Sequence, residues 1–395
     1  MSKIKPVTKN TLNSNKTSAL MLAAMTLPIS QNVTAESAPE SGIVGFKYLN
    51  YLDSQDSVPD TFSGASSSTS HDRMKVKAHS LMIMAPIAGE WSVNGSFTTD
   101  SISGASPSYH SSQLIKIDEF RKAGNINLTR YLPRGTLSVG ANFSNESDYR
   151  SRGFSLQGTL SSEDKNTTFS AGVGILSDEI NSNNGEAVGE DKDVSDWLLG
   201  VTQVLSVNDI VQLNLNYSNG RGYFTDPYKF LDHRPDKRDH FAVLTRWNHH
   251  FDTLNSTSRL SYRYYDDTYD IKAHTLTAEY VQPFDNGWTI TPSIRYYSQE
   301  QASFYVGVDP NSSAFIDVPA VTDPSKYMSM DQRLAEYGAV TLGIKISKQL
   351  DPNWLVDFKY EQYMQKEDWA LTGSNDDALE TFSFRSFQLG ISRKF

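Results

Sequence analysis

The chain has no cysteine in its 395 residues, so disulfide scaffolds and thiolate metal sites are excluded. No apolar run reaches the roughly 18 residues that a membrane-spanning helix requires, which excludes a helical membrane protein. Helical periodicity is scarce throughout, and only 38% of residues are hydrophobic. What is abundant is Tyr (20), Phe (19) and Gly (24), with 6 Trp, a strand- and turn-forming composition too aromatic for a disordered chain.

The first 35 residues differ from the rest. Lys3, Lys5, Lys9 and Lys16 form a basic opening without an acid, the run from Ala19 to Ile29 is apolar, and Val33-Thr34-Ala35 closes on a small residue. This is the pattern of a secretory signal peptide. A buried helix would need a polar face that Ala19 to Met25 lack. The sequence therefore divides into a leader at 1–35 and a single body at 36–395. Without the leader's four lysines the formal charge falls from −10 to −14, which argues against nucleic acid as a partner.

Past residue 42 the dominant period is two, as in Trp91, Val93, Gly95, Phe97 or Leu137, Val139, Ala141, Phe143. Such alternation marks strands with one apolar and one polar face. Sixteen segments show it, from 43–52 to 380–395. Their connections alternate in length. Short turns such as 86–89, 133–135, 252–255 and 283–286 lie between longer stretches such as 53–71, 101–118, 177–193, 219–238 and 300–332. Short turns on one side and long loops on the other describe an all-β, antiparallel, up-and-down transmembrane β-barrel of about sixteen strands, both chain ends on the short-turn side.

Segments of 10 to 13 residues are long for a globular sheet and suit a tilted membrane crossing. Trp91, Trp288, Trp354, Tyr217, Tyr296 and Tyr360 stand where strands begin or end, as interfacial girdles do. The last segment, with Phe387, Leu389, Ile391 and Phe395, resembles the C-terminal signature read during outer-membrane barrel insertion. It implies the outer membrane of a Gram-negative bacterium as location. The expected partners are outer-membrane lipid and the barrel-assembly machinery, with Phe395 as assembly signal.

Several stretches resemble domain-of-unknown-function family 3570: DPYKFLDHRPDKRDHFAVLTRWNHHF at 226–251, LSYRYYDD at 260–267, AHTLTAEYVQP at 273–283, WTITPSIRYYSQ at 288–299, DQRLAEYGAVTLGIKISK at 331–348 and the closing SRKF. The resemblance implies an outer-membrane barrel without a settled substrate. The family's genetic neighbourhood, often described with a thioredoxin-like protein and a flavin transferase, implies a periplasmic protein partner in an extracytoplasmic redox system.

Candidate chemical sites are few. His233, His240, His249 and His250 lie close in sequence with Asp232, Asp236 and Asp239, but adjacent strand residues His249 and His250 face opposite sides and cannot share an ion, so no metal is expected. The acidic run Glu186 to Asp196 lacks the order of a dedicated Ca²⁺ loop and reads as a solvated loop. No GxSxG, phosphate loop or haem-attachment motif occurs, so no catalytic residue, enzyme activity or cofactor is expected. With each strand's apolar set facing lipid, the inward, selectivity-determining positions are Lys47, Arg73, Lys75, Lys77, Arg246, Arg263, Arg295, Lys345 and Lys359, with Glu279, Asp357 and Glu361 as acids. The expected function is a pore or substrate-specific channel with a polar, net-basic lumen; the 300–332 loop, with its apolar piece Ala314 to Pro319, either folds inward as a constriction or packs on its own strands. The alternative is a barrel scaffold that anchors a periplasmic or surface partner.

Overall fold

The computed structural model describes residues 37–55, 72–105, 116–229, 232–307, 326–372, 379 and 381–395; the leader and the 314–319 segment lie outside them. The strands are β1 Ile43–Gln55, β2 Asp72–Ile87, β3 Trp91–Ala105, β4 Lys116–Leu132, β5 Gly135–Asn145, β6 Tyr149–Ser161, β7 Thr167–Asn181, β8 Val188–Val204, β9 Asp209–Gly222, β10 Lys237–Phe251, β11 Ser256–Asp267, β12 Lys272–Pro283, β13 Trp288–Gln299, β14 Tyr337–Gln349, β15 Trp354–Lys366 and β16 Phe382–Lys394. Each pairs antiparallel with its sequence neighbours, and β1 pairs with β16, so the sheet closes. At the seam the Gly42 amide donates to the Phe395 carbonyl at 2.8 Å and the Phe395 amide to the Gly42 carbonyl at 2.9 Å. A side chain at Gly42 would run into the Phe395 ring, so the closing aromatic needs glycine beside it.

The strands extend past the alternating segments toward the long loops. The largest difference is at β8, which begins at Val188, so most of the acidic run expected as a loop is strand. Beyond the apolar band both faces of a strand meet polar surroundings, and the period-two signal disappears although the hydrogen-bond ladder continues.

Cross-strand partners share a face, so the registers assign every strand residue to lumen or lipid. Outward positions carry Phe154 at 65% exposure, Leu199 at 60%, Leu160 at 58% and many others like them. Each such side chain left in water forgoes about 1.5–3 kcal/mol, which a girdle of lipid supplies. Trp91, Trp288 and Trp354 each open a strand at the short-turn end, and each lies under a cation: Arg130 at 5.4 Å, Lys348 at 5.1 Å and Arg393 at 5.4 Å from the ring centre. This is the expected aromatic girdle, with a charge beside each indole for the polar headgroups.

Candidate functional site

Two lumen walls differ in chemistry. On β10–β16 and β1 the inward row Thr291–Lys345–Lys359–Gln388 lies next to Ser293–Gly343–Glu361–Ser386, and these flank Arg295, Asp357 and Lys47. Arg246, Arg263 and Glu279 face inward on β10, β11 and β12. So does Arg259, which sequence reasoning missed and which bridges to Glu279 at 3.7 Å. Lys359 and Glu361 pair at 2.9 Å, and the Asp357 carboxylate occupies the space over Gly390, between it and Lys47. Arg246 and Arg295 are exposed inside the barrel, and neither has an ion-pair partner among the described residues.

On β2–β9 the inward residues are mostly small amides and hydroxyls. Asn125 donates to Ser96 at 2.7 Å, Thr129 and Ser138 lie 2.8 Å apart, as do Thr136 and Thr159. Glycines at 140, 153 and 200 leave room for neighbouring Asn and Ser side chains to lie flat across the wall. Between three and eight residues from the short-turn ends, Asp196 is the lone charged inward residue of this half among those described.

Toward the loops aromatic and paired charged side chains line the lumen. Four strands that run outward carry an inward Tyr whose hydroxyl donates to the residue two further on: Tyr51 to Asp53 at 3.0 Å, Tyr265 to Asp267 at 2.8 Å, Tyr297 to Gln299 at 2.7 Å and Tyr363 to Gln365 at 2.8 Å. Phe384 stacks on Tyr363 at 4.7 Å and meets Tyr51 at 5.0 Å. Since i and i+2 share a face, each pair is preset by its own strand. At the same height Arg121 pairs with Asp100 at 2.7 Å, Lys192 with Asp178 at 2.9 Å and Arg238 with Asp267 at 2.6 Å.

Above this collar the β9–β10 and β13–β14 connections pack together. His233 and Met328 exchange backbone hydrogen bonds at 2.8 and 2.9 Å, and Ala302 donates to Leu334 at 2.8 Å. Tyr269, Ala302, Leu334 and Ala335 form a buried cluster. Beside it lies a buried ion network. Arg234 binds Asp232 at 2.8 Å and Asp331 at 2.7 Å, while Arg333 binds Asp331 and reaches Asp226 at 2.7 Å. These carboxylates hold both guanidinium groups above their ordinary pKa against the opposing effect of burial. All five residues fall in the 226–251 and 331–348 stretches that carry the family resemblance. The sequence signal was a mixed charge run, which reads as solvated surface unless the loops are known to meet.

Other expectations need correction. Lys75 and Lys77 are exposed on the outward face of β2, where they alternate with the buried inward Met74, Val76 and Ala78, and position 73 shares their register parity. These apolar residues pack with Leu49 and Ile102 inside the barrel, so the apolar set of upper β2 faces the lumen, not lipid. The histidines do not converge: His249 bonds Asp209 at 2.8 Å outside the barrel, His250 meets Thr257 at 3.2 Å inside, and His233 contacts the Lys326 carbonyl at 2.9 Å in the cap. Glu119, Glu146 and Asp148 gather in a buried acidic trio, where Glu119 accepts from the Ser147 amide at 2.9 Å and Asp148 from the Tyr228 hydroxyl at 2.5 Å.

A closed, even-stranded antiparallel sheet with an apolar exterior and aromatic girdles defines the class: this is an outer-membrane β-barrel. Residues 115–386 match the family described as "Protein of unknown function (DUF3570)", and the chain belongs to that family. No curated protein matches it. Among solved structures it is similar to a FadL homologue of Pseudomonas aeruginosa (9% identity, 90% of each chain, TM-score 0.44) and to OccD3 (OpdP) of the same organism (10% identity, 94% of this chain and 96% of that one, TM-score 0.42). The siderophore receptor PirA, also from Pseudomonas aeruginosa, is matched at 10% identity over 82% of this chain, with TM-score 0.41. The chain covers 56% of PirA's length.

Proposed function

We propose that this protein is a channel of the Gram-negative outer membrane that passes small solutes and prefers anions, without catalysis. The observation that carries the reading is the charged wall. Three to eight residues from the short-turn ends, inward cations are Lys47, Arg246, Arg259, Arg263, Arg295, Lys345 and Lys359, against Asp196, Glu279, Asp357 and Glu361. Sixteen strands enclose room for water, and fixed positive charge within a Debye length of about 8–10 Å raises the local anion concentration. Near the loops Asp100, Asp178 and Asp267 are paired with Arg121, Lys192 and Arg238 and the Glu119, Glu146 and Asp148 trio is buried, so the selectivity is assigned to the lower lumen.

Reconstitution in planar bilayers tests the reading. Under a KCl gradient the reversal potential is expected to have the sign of anion preference, weakening as salt rises. Cation preference would overturn the assignment. A complete lack of conductance would favour the second reading, a scaffold for a periplasmic or surface partner, for which the packed loop cap is the supporting observation. Fractionation of cells is expected to place the protein in the outer membrane.

A further inference from the structure

Lys75 and Lys77, removed from the lumen, belong to a second charged feature. On the outward face of β2, β4 and β6, five exposed cations stand together: Lys75, Lys77, Lys122, Arg150 and Arg152. None has an ion-pair partner among the described residues. Among the β2–β6 residues whose side chains are described, no carboxylate faces outward between them; past Phe120, positions 118 (Asp) and 116 (Lys) share the outward parity of β4. Beyond Arg150 the sign reverses, with Glu179 across from it on β7 and Asp191 and Asp193 on β8, all exposed.

Their heights are similar, with Lys75 twelve residues from Ile87 and Arg150 eleven from Ser161. Lys77 stands ten residues from Ile87 and Lys122 ten from Leu132, while Arg152 stands nine from Ser161. At about 3.4 Å per residue and a tilt near 40°, ten residues climb roughly 26 Å, the height of the apolar band of such barrels. The cations thus lie at the upper interface, above exposed Phe97, Phe143 and Phe154, and the Lys122 ammonium sits 5.7 Å from the Phe120 ring centre. With strands about 4.8 Å apart, the arc from β2 to β6 is about 19 Å wide, and its charges lie within a Debye length of their neighbours. Unpaired like charges at that spacing repel unless an anionic layer covers them.

We infer that the β2–β6 arc is a binding site for the phosphorylated sugar headgroup of an outer-leaflet glycolipid. Arg150 and Arg152 offer planar donor pairs that match phosphate, the lysines act as point charges, and the acyl chains lie along the apolar strand face directly below. That continuity favours a lipid over a free anion. The site depends on outer-membrane placement and not on conductance, so the channel reading and this one stand or fall separately.

The test is native mass spectrometry of the detergent-folded full chain with diphosphoryl lipid A. The unmodified protein is expected to retain bound lipid. The variant K75Q/K77Q/K122Q/R150Q/R152Q is expected to lose at least about tenfold in apparent affinity, and fully dephosphorylated lipid A should bind the unmodified protein comparably weakly. Equal binding by the variant, or equal binding of the dephosphorylated lipid, overturns the inference. Competition by millimolar inorganic phosphate would show a simple anion site and also overturn it. So would a protein dimer that the variant dissociates, because the acidic arc of a second copy would then be the occupant. If the fivefold variant is not heat-modifiable, K75Q/K77Q and R150Q/R152Q serve instead, each with a several-fold loss expected.

Discussion

Along β2–β9 the lumen is lined by side chains that neutralise one another through short hydroxyl and amide hydrogen bonds, whereas along β10–β16 and β1 it is lined by charges that are only partly paired. The packed loops join the two walls. The Asp226, Asp232, Arg234, Asp331 and Arg333 network is drawn from the β13–β14 connection of the charged half and the β9–β10 connection between the halves. The neutral half instead closes its upper end with single pairs such as Arg121–Asp100 and an apolar cluster around Val76. One half is therefore built to hold its shape, and the other keeps charge available to what enters.

The largest effect is expected where that division is capped. Asp331→Asn leaves the buried Arg234 and the partly exposed Arg333 with one carboxylate each, Asp232 and Asp226, a loss below the roughly 3–5 kcal/mol of a fully broken buried pair. Limited proteolysis should then cut near residues 226–236 and 326–336 well before the unmodified protein is cut, and an unchanged digestion pattern would show that the network does not hold the loops. Next, replacing Arg246, Arg263 and Arg295 together by Gln removes from the charged wall three of the cations that have no ion-pair partner among the described residues. The reversal potential under a KCl gradient should move most of the way toward zero, with heat-modifiability unchanged. An unmoved potential would place the selectivity elsewhere.

A smaller shift is expected from the neutral wall. Asn142 is exposed to the lumen, so Asn142→Asp adds one carboxylate facing the charged half and should reduce anion preference partially, by less than the triple substitution does. If it acts as strongly, the two walls share one constriction and the contrast between them is less useful. The smallest perturbation is topological. A tag at Asn311, in the longest loop, should be labelled on intact cells, whereas a tag at Asn286, in a turn, should be labelled only after the outer membrane is opened. Equal labelling would reverse or abolish the assumed orientation.

Much of the architecture was legible from residue order. Phe169, Ala171, Val173 and Ile175 alternate strictly because lipid covers one side of β7 and small polar groups the other. Where both faces of a strand meet similar surroundings, this contrast vanishes. That is why β8 was cut short at its acidic start, and why Lys75 and Lys77 were expected inside: on upper β2 the apolar residues pack inward while the lysines rise above the band. Arg259 escaped notice because it stands near the end of a strand, beside a turn, where charge is unremarkable.

The sequence by itself determined a sixteen-strand antiparallel barrel, since side-chain alternation and turn length are local properties that each segment carries alone. It also set which residue types were available for a lumen. Which residues meet was decided only by closure. Arg234 reaches Asp331, and Asp226 reaches Arg333, across about a hundred positions because the β9–β10 and β13–β14 connections emerge on the same rim. The division of the lumen into a neutral and a charged wall likewise exists only once strand registers fix each face, because a shift of one residue would exchange every inward side chain with its outward neighbour.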